Sequence, residues 1–256
     1  MISMNNIGNY ARHAQFWDWS GHDRSAEHKF WSSYAAKYGK NVLIPMCAWG
    51  ETGAHMAKQG LSVTAFDITP EMIAEGKKRY GDIPGLQLFE GDVTNFSFDI
   101  APVDFCYCVD LQHIHTIDKI KDALTCINKH MRTGGGLVIE TGFPSKESSQ
   151  HPFKTFHPLK QVYPNMKVWK TGDGHTDAKT GRHYINQVFY CEHEDGRIES
   201  FNHEFYLQSY HREEWLKVFD STGFEVKGEY KNRDYEPWHK EDAGWMVEAT
   251  KVHSIS

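Results

Sequence analysis

The sequence lacks the features that mark membrane and secreted proteins. No apolar run in its 256 residues approaches the roughly 18 residues that a bilayer-spanning helix needs. The mean hydropathy is -0.62, which is typical of a soluble globular chain. The first residues contain no basic start followed by an apolar stretch, so we expect no secretory signal. These absences predict a soluble protein of the cytoplasm that does not bind a membrane.

Paired cysteines and excess positive charge are missing as well. The five cysteines are odd in number and lie mostly in apolar runs, which is typical of reduced core thiols in a cytoplasmic protein. The formal net charge of -6 argues against nucleic acid as the main partner, because phosphate binding depends on clustered Lys and Arg. The cysteines are Cys47, Cys106, Cys108, Cys126 and Cys191.

Glycine is missing from a turn in which it is usual. Residues 41–67 read as an apolar run, a turn, a short helix, a second apolar run and an acid, which is half of a nucleotide-binding βαβ unit. Met46 and Ala48 occupy two positions of the turn where glycines are expected. Gly50 and Gly53 still leave room for a close approach of the backbone to a ligand and for helix packing.

The rest of that turn, Cys47-Ala-Trp-Gly50, allows two interpretations of its aromatic residue. Trp49 either covers a ligand or fills a gap in the core. The turn by itself does not identify a ligand, and its meaning depends on the elements around it.

Strands and helices alternate on both sides of this turn. Short apolar runs separated by helices predict parallel strands that are buried on both faces. We therefore predict an α/β fold with a doubly wound, mostly parallel seven-stranded sheet, whose last two strands pair antiparallel. The predicted strands are 42–45, 62–67, 86–89, 103–109, 137–140, 224–230 and 245–252, and the predicted helices are 51–59, 69–80, 118–131 and 211–222.

The pattern changes after about residue 145. Three segments of strand-like alternation, 166–171, 184–192 and 197–207, predict an antiparallel β cap inserted in the α/β domain, with a hairpin turn at 194–196. We expect three parts: an aromatic-rich helical arm over 1–40, a Rossmann-like domain over 41–150 and 208–256, and the cap over 151–207. Trp31, Tyr34, Ala35 and Tyr38 have the spacing of one helix face, which predicts that the arm packs on the main domain.

Two acids follow predicted strands. Asp67 ends the second strand, and this position suits a carboxylate that accepts both hydroxyls of a ribose. The alternative is an acid that stabilises the N-terminus of the helix beginning at Thr69-Pro70. Asp92 follows the third strand and can accept a hydrogen bond from an exocyclic amine such as that of adenine, or can act as a turn residue.

The segment from Asp110 to His115 follows the fourth strand, at the edge where open α/β sheets carry their chemistry. An imidazole of His113 there can take or orient a substrate proton near neutral pH. His113 and His115 also have the spacing of a metal pair, but no third ligand is placed by spacing, and we predict no metal. A purely structural loop histidine is the remaining alternative.

Taken together, these segments resemble class I S-adenosylmethionine-dependent methyltransferases. The chain is most similar to small-molecule N-methyltransferases of the glycine N-methyltransferase and amino-sugar N,N-dimethyltransferase type. Residues 66–72, Phe-Asp-Ile-Thr-Pro-Glu-Met, resemble the family's second-strand motif. Residues 132–140 resemble the motif before its fifth strand, with Thr133 in place of proline.

The resemblance implies S-adenosylmethionine as the co-substrate and assigns roles to individual residues. Asp67 would bind the donor ribose, Asp92 and Val93 the adenine, and Asp110 and Leu111 the amino acid end of the donor. The implied donor-binding residues are Arg24, Cys47, Ala48, Trp49, Gly50, Asp67, Ile68, Met72, Asp92, Val93, Asp110 and Leu111. The implied catalytic residues, on the acceptor side, are His113, Tyr10 and His115.

One departure from the family keeps other functions open. The family has an acid at the position of Ile44, where it holds the methionine part of the donor. We predict in-line methyl transfer to a small-molecule acceptor, with an amine favoured over a hydroxyl by the resemblance alone. The alternatives are a non-methyl reaction that releases methylthioadenosine, a donor-binding protein without turnover, and a metal-dependent enzyme. A homodimer is compatible with the aromatic arm.

Overall fold

A computed structural model describes residues 8–18, 23–143, 153–163 and 166–255 of the chain. Eleven strands form two sheets in this part of the chain. The strands are β1 Asn41–Pro45, β2 Ser62–Asp67, β3 Leu86–Glu90, β4 Val103–Cys108, β5 Met131–Gly142, β6 Phe153–Tyr163, β7 Met166–Asp177, β8 Arg182–His193, β9 Ile198–Gln208, β10 Phe224–Tyr230 and β11 Gly244–Lys251.

The larger sheet has seven strands in the order β10-β11-β5-β4-β1-β2-β3. Strands β1 to β5 run parallel, and β11 lies antiparallel between β5 and β10. The strand order reverses between β1 and β4, and ligands of open α/β sheets bind beside such a reversal, at the carboxyl ends of the strands. The predicted doubly wound, mostly parallel seven-stranded sheet is confirmed.

Among the described residues, six α-helices surround the larger sheet or enter the site. They are α1 Tyr10–His13, α2 Ser25–Ala36, α3 Glu51–Lys58, α4 Pro70–Tyr80, α5 Ile117–His130 and α6 Arg212–Ser221, with 3₁₀ turns at Ala14–Phe16 and Leu111–His113. Across the described ranges, no helix is both long enough and apolar enough to cross a membrane.

Two element ends depend on contacts that the local residues do not show. Thr69 directly precedes α4, and its side chain makes no capping hydrogen bond. Its backbone N–H instead donates to Oδ1 of Asp67 at 2.9 Å. The strand expected at 137–140 extends over Met131–Gly142 and takes in the glycines at 134–136, because both of its neighbours supply backbone partners beyond the apolar run.

The second sheet is antiparallel, in the order β6-β7-β8-β9. The predicted antiparallel insertion is therefore present, but it has four strands, where three were expected. The missed strand, β6, contains Pro158, and its pairing with β7 shifts register between His157 and Lys160. A proline at an irregular edge strand hides the two-residue alternation on which strand prediction depends.

Helix α2 packs on the larger sheet through its aromatic face. Trp31, Tyr34 and Ala35 are buried, and the Trp31 ring stacks on Tyr107 of β4 with the ring centroids 4.4 Å apart. The predicted packing of this helix on the main domain is confirmed. The helix thereby brings the residues before it to the carboxyl edge of the sheet.

Candidate active site

A cleft of about 560 Å³, including the part open to solvent, lies at the carboxyl ends of β1, β2 and β4. Residues from the N-terminal arm close the side opposite the sheet. The lining residues are Tyr10, Trp17, Met46, Ala48, Asp67, Ile68, Thr69, Met72, Asp110 and His113.

The turn after β1 keeps a glycine-like backbone without the glycines. Met46 has φ +55° and Ala48 has φ +50°, so both are left-handed, as is Gly50 at +79°. A left-handed conformation costs a side-chain-bearing residue roughly 1–2 kcal/mol. The substitutions at Met46 and Ala48 therefore preserve the path of the turn and add two side chains to the wall of the cleft.

Asp67 holds this turn against the end of β2. Its Oδ2 accepts a hydrogen bond from the backbone N–H of Ala48 at 2.9 Å, and its Oδ1 accepts one from that of Thr69 at 2.9 Å. Burial raises the pKa of Asp67, and the two backbone donors partly offset that rise. Because each carboxylate oxygen can accept more than one hydrogen bond, Asp67 retains acceptor capacity toward the cleft.

Trp49 fills a core gap and does not line the cleft. Its side chain is only 2% exposed, and its indole N–H donates to the carbonyl of Ala14 at 2.8 Å. The guanidinium of Arg79 lies 3.8 Å from the centroid of the same ring. The structure thus favours the packing interpretation of Trp49, in which the indole joins the N-terminal arm to α4.

Six other predicted donor-binding residues, Arg24 among them, also lie outside the cleft lining. The side chains of Val93 and Leu111 are buried in the core, so any contact they make with a ligand comes from the main chain. Asp92 accepts from both the N–H and the hydroxyl of Thr94 at 2.8 Å, which is the turn role. Cys47 and Gly50 form the turn itself, linked by a 2.8 Å backbone hydrogen bond.

Ile68 and Met72 do line the cleft, and Ile44 does not. Ile44 is buried in the core among apolar side chains that include residues of α3. The family's acid at this position is therefore replaced by an apolar packing contact.

Asp110 faces the cleft from the end of β4. Its backbone is left-handed, with φ +64°, just before the 3₁₀ turn that carries His113. The carboxyl group is accessible from the cleft, yet the protein surrounding its other sides raises the pKa of Asp110, and Arg24 opposes that rise. Arg24 itself is held outside the lining by ion pairs to Glu27 at 2.7 Å and Glu51 at 3.5 Å.

Tyr10 and His113 meet in the same cleft as Asp67. The Tyr10 hydroxyl lies 3.3 Å from Nε2 of His113, so α1 and the turn after β4 share a hydrogen bond. Burial and nearby His115 lower the pKa of His113 to about 4. Burial, Asp110 and Asp67 raise the pKa of Tyr10. Both groups are therefore neutral at pH 7 and form an uncharged hydrogen-bonding pair.

His115 does not accompany His113, contrary to the expectation that both are catalytic. Nε2 of His115 lies 3.0 Å from the carbonyl of Tyr206, and the two rings stack with centroids 3.8 Å apart. His115 faces a separate hollow beside Gln208 and His211. Alternate residues share a face only in an extended segment. Leu111–His113 is a 3₁₀ turn, so His113 and His115 do not point the same way. In the parts of the chain that the structure describes, no cluster of three metal-ligating side chains occurs.

The structure also adds residues that sequence reasoning missed. Trp17 and Thr69 line the cleft. His203 of β9 lies behind Tyr10, with the two ring centroids 4.6 Å apart. The sequence could have indicated this buried position, because His203 alternates with Phe201 and Phe205, and alternate residues of a strand share a face.

Residues 42–135 match the family model described as "Methyltransferase domain". This segment contains the turn after β1, Asp67, Asp110 and His113. This part of the chain is therefore similar to a methyltransferase domain.

The chain is similar in sequence to one curated methyltransferase and in fold to solved methyltransferase structures. A demethylmenaquinone methyltransferase from Beutenbergia cavernae is 27% identical over 148 residues, and the match spans 56% of this chain and 55%, about half, of that protein. An S-adenosylmethionine-dependent methyltransferase from Clostridium acetobutylicum has a TM-score of 0.76 at 15% identity, covering 96% of this chain and all of that one.

A third similarity is to the sugar N-methyltransferase KedS8 from a Streptoalloteichus species. Its TM-score is 0.74 at 15% identity, with 93% of this chain and 92% of that chain covered. The predicted class I methyltransferase fold is confirmed by these similar structures, and residues 42–135 match the methyltransferase domain model.

Proposed function

We propose that this methyltransferase transfers a methyl group from S-adenosylmethionine to an amine nitrogen of a small molecule. The observation that carries the proposal is that Tyr10 and His113 form a neutral pair in the same cleft as Asp67. A nucleotide-type donor site and a hydrogen-bonding acceptor site are thus joined in one cavity. The similarity to a protein described as a sugar N-methyltransferase supports nitrogen over oxygen.

On the donor side, the chain supplies the carboxylate of Asp67 and the turn after β1, whose backbone can approach the donor closely. S-adenosylmethionine, when bound, supplies an electrophilic methyl carbon on a sulfonium. Asp67 would accept from the ribose hydroxyls, since its oxygens face the cleft and are already oriented by the N–H groups of Ala48 and Thr69. Asp110 would attract the positive end of the donor by charge.

On the acceptor side, the chain orients the nucleophile. A methyl transfer is an in-line displacement, so alignment contributes most of the barrier reduction. With a pKa of about 4, His113 is a weak base, and its role is to hold the amine by a hydrogen bond rather than to store a proton. The amine itself must arrive unprotonated, because only its free lone pair can attack.

The second sheet borders the acceptor side. The ring of Phe205 on β9 lies 5.3 Å from that of His113 and 5.9 Å from that of Tyr10, measured between centroids. These apolar contacts exclude water from one side of the reacting groups, which strengthens the hydrogen bonds of the pair. We therefore propose that the second sheet forms one wall of the acceptor site and selects which acceptors fit.

The test combines calorimetry with product analysis on a panel of amines and their hydroxyl analogues. His113→Ala should lower kcat by about 100-fold, because the amine loses its alignment, while the Kd for S-adenosylmethionine stays within about twofold. His115→Ala is the matched control and should retain most of the turnover, because its imidazole contacts Tyr206 outside the cleft. Asp67→Ala should instead weaken donor binding by about tenfold or more.

Each result bears on a different part of the proposal. Unchanged turnover in His113→Ala contradicts the acceptor role of that residue. Release of methylthioadenosine in place of S-adenosylhomocysteine would show a non-methyl reaction, and methylation of the hydroxyl analogues alone would show oxygen as the acceptor.

A further inference from the structure

His203 of β9 is a buried histidine that the donor and acceptor roles leave unexplained. Only 1% of its surface is exposed. Its Nδ1 accepts a hydrogen bond from the backbone N–H of Asn9 at 2.8 Å. Asn9 is the N-cap residue of α1, and Tyr10 is the first residue of that helix. The imidazole therefore contacts the chain at the point where the helix carrying Tyr10 begins.

The backbone beside His203 is shaped to admit this contact. Gly8 has φ +69°, and a Cβ at this position would lie 2.7 Å from Cε1 of His203. A side chain there would be both strained and in collision with the ring. The Tyr10 ring then packs edge-on against the same imidazole, with centroids 4.6 Å apart. His203 thus contacts residues 8, 9 and 10 in succession.

The contact requires a neutral imidazole with its proton on Nε2, since Nδ1 is the acceptor. Burial is the main cause that lowers the pKa of His203 to about 4, with Lys170 and His113 contributing. The titratable groups that face it are His13 and Tyr10 of α1, Lys170 of β7 and His113. At neutral pH, His203 is therefore an uncharged acceptor.

We propose that His203 is a positioning residue, which fixes α1 so that the Tyr10 hydroxyl reaches His113 at the acceptor end of the cleft. The proposal rests on the proposed function, because it makes the second sheet set the geometry of the acceptor pair. The physical link is short: one hydrogen bond to Asn9 and one edge-on ring contact to Tyr10.

The decisive comparison is between His203→Asn and His203→Gln. An asparagine Oδ1 occupies about the place of Nδ1, whereas a glutamine carries its oxygen one methylene further. His203→Gln should lower kcat by about tenfold with an unchanged Kd for S-adenosylmethionine, and His203→Asn should recover most of that loss. His175→Gln is the control, because His175 is exposed on β7.

Two further readouts separate positioning from general stability. Hydrogen–deuterium exchange at the amides of residues 9–13 should speed up by at least tenfold in His203→Gln and return toward the wild-type rate in His203→Asn. In a Tyr10→Phe background, His203→Gln should cause little additional loss of kcat, because the group that it positions is already gone.

Equal kcat in the asparagine and glutamine variants, or losses that add fully to that of Tyr10→Phe, would overturn the proposal. The exchange measurement does not depend on turnover. If the wild-type protein methylates no acceptor, the proposed function fails, while the exchange rates still decide whether His203 anchors α1.

Discussion

At the scale of single residues, the turn after β1 shows how much backbone shape can be kept when its usual residues are lost. Met46 and Ala48 hold left-handed conformations that glycine adopts without strain. The carboxylate of Asp67 stabilises this shape by accepting from the N–H of Ala48. The backbone strain at Met46 and Ala48 therefore lies in the wall of the cleft. Backbone strain of this kind often occurs at functional sites.

Replacing Ala48 by glycine should relieve that strain. We expect Ala48→Gly to raise the free energy of unfolding by about 0.5–1 kcal/mol, since the relief exceeds the extra entropy of the unfolded chain. Ala54→Gly in α3 is the matched control and should lower it by about 1 kcal/mol, because that position is helical. Urea unfolding measures both changes, and a destabilised Ala48→Gly would contradict the assigned backbone conformation.

At the scale of elements, α1 and α2 complete a site that the larger sheet only begins. Trp31 of α2 stacks on Tyr107 of β4. At the two ends of α1, the carbonyl of Ala14 accepts from the Trp49 indole, and the N–H of Asn9 donates to His203 of β9. Each contact buries an aromatic ring or satisfies a buried polar group. The described part of the N-terminal arm thereby packs on the rest of the protein.

The packing of α2 can be measured by truncating its central ring. Trp31→Ala should lower the free energy of unfolding by about 3–5 kcal/mol, because the side chain is 0% exposed and stacks on Tyr107. Ile198→Ala, at a position that is 58% exposed, should change it by less than about 0.5 kcal/mol. Equal effects in chemical denaturation would mean that the helix does not contribute to the core.

At the scale of the whole molecule, stability depends on keeping buried histidines neutral. Burial lowers the pKa values of His13, His113 and His203 below their usual 6.5. Between pH 6.5 and about 4 the unfolded chain binds more protons at these sites than the folded protein does. The part of the free energy of unfolding that depends on these three histidines being neutral is therefore complete above pH 6.5 and declines as the pH falls. Asp67 and Asp110, whose pKa values are raised, act in the opposite direction.

We expect the wild-type protein to lose stability between pH 7 and pH 5, and His203 to account for part of the loss. A pKa of about 4 against 6.5 corresponds to on the order of 2 kcal/mol at pH 5 for this one group. His203→Asn, which cannot titrate, should show a shallower fall in urea unfolding measured at both pH values. A parallel fall in the two proteins would contradict the neutral state of His203.

Much of the fold was predictable because hydrophobic periodicity reflects burial. The boundaries of β2, α4 and β10 follow from apolar runs, Pro70 and Gly223, which act over a few residues. The convergence of Asp67, Asp110 and His113 on one cleft also follows, because parallel strands place their carboxyl ends at the same edge. Strand β6 escaped prediction because its pairing, and not its own pattern, makes it a strand.

The sequence by itself determined the order of strands and helices and the edge of the sheet at which the chemistry lies, because these depend on local conformation and chain direction. Only the tertiary structure decided which way side chains point. It turned Trp49 into the core, directed His115 to the Tyr206 carbonyl, and placed His203 behind Tyr10. Those outcomes depend on contacts between residues far apart in the chain, such as Asn9 and His203, which local periodicity does not encode.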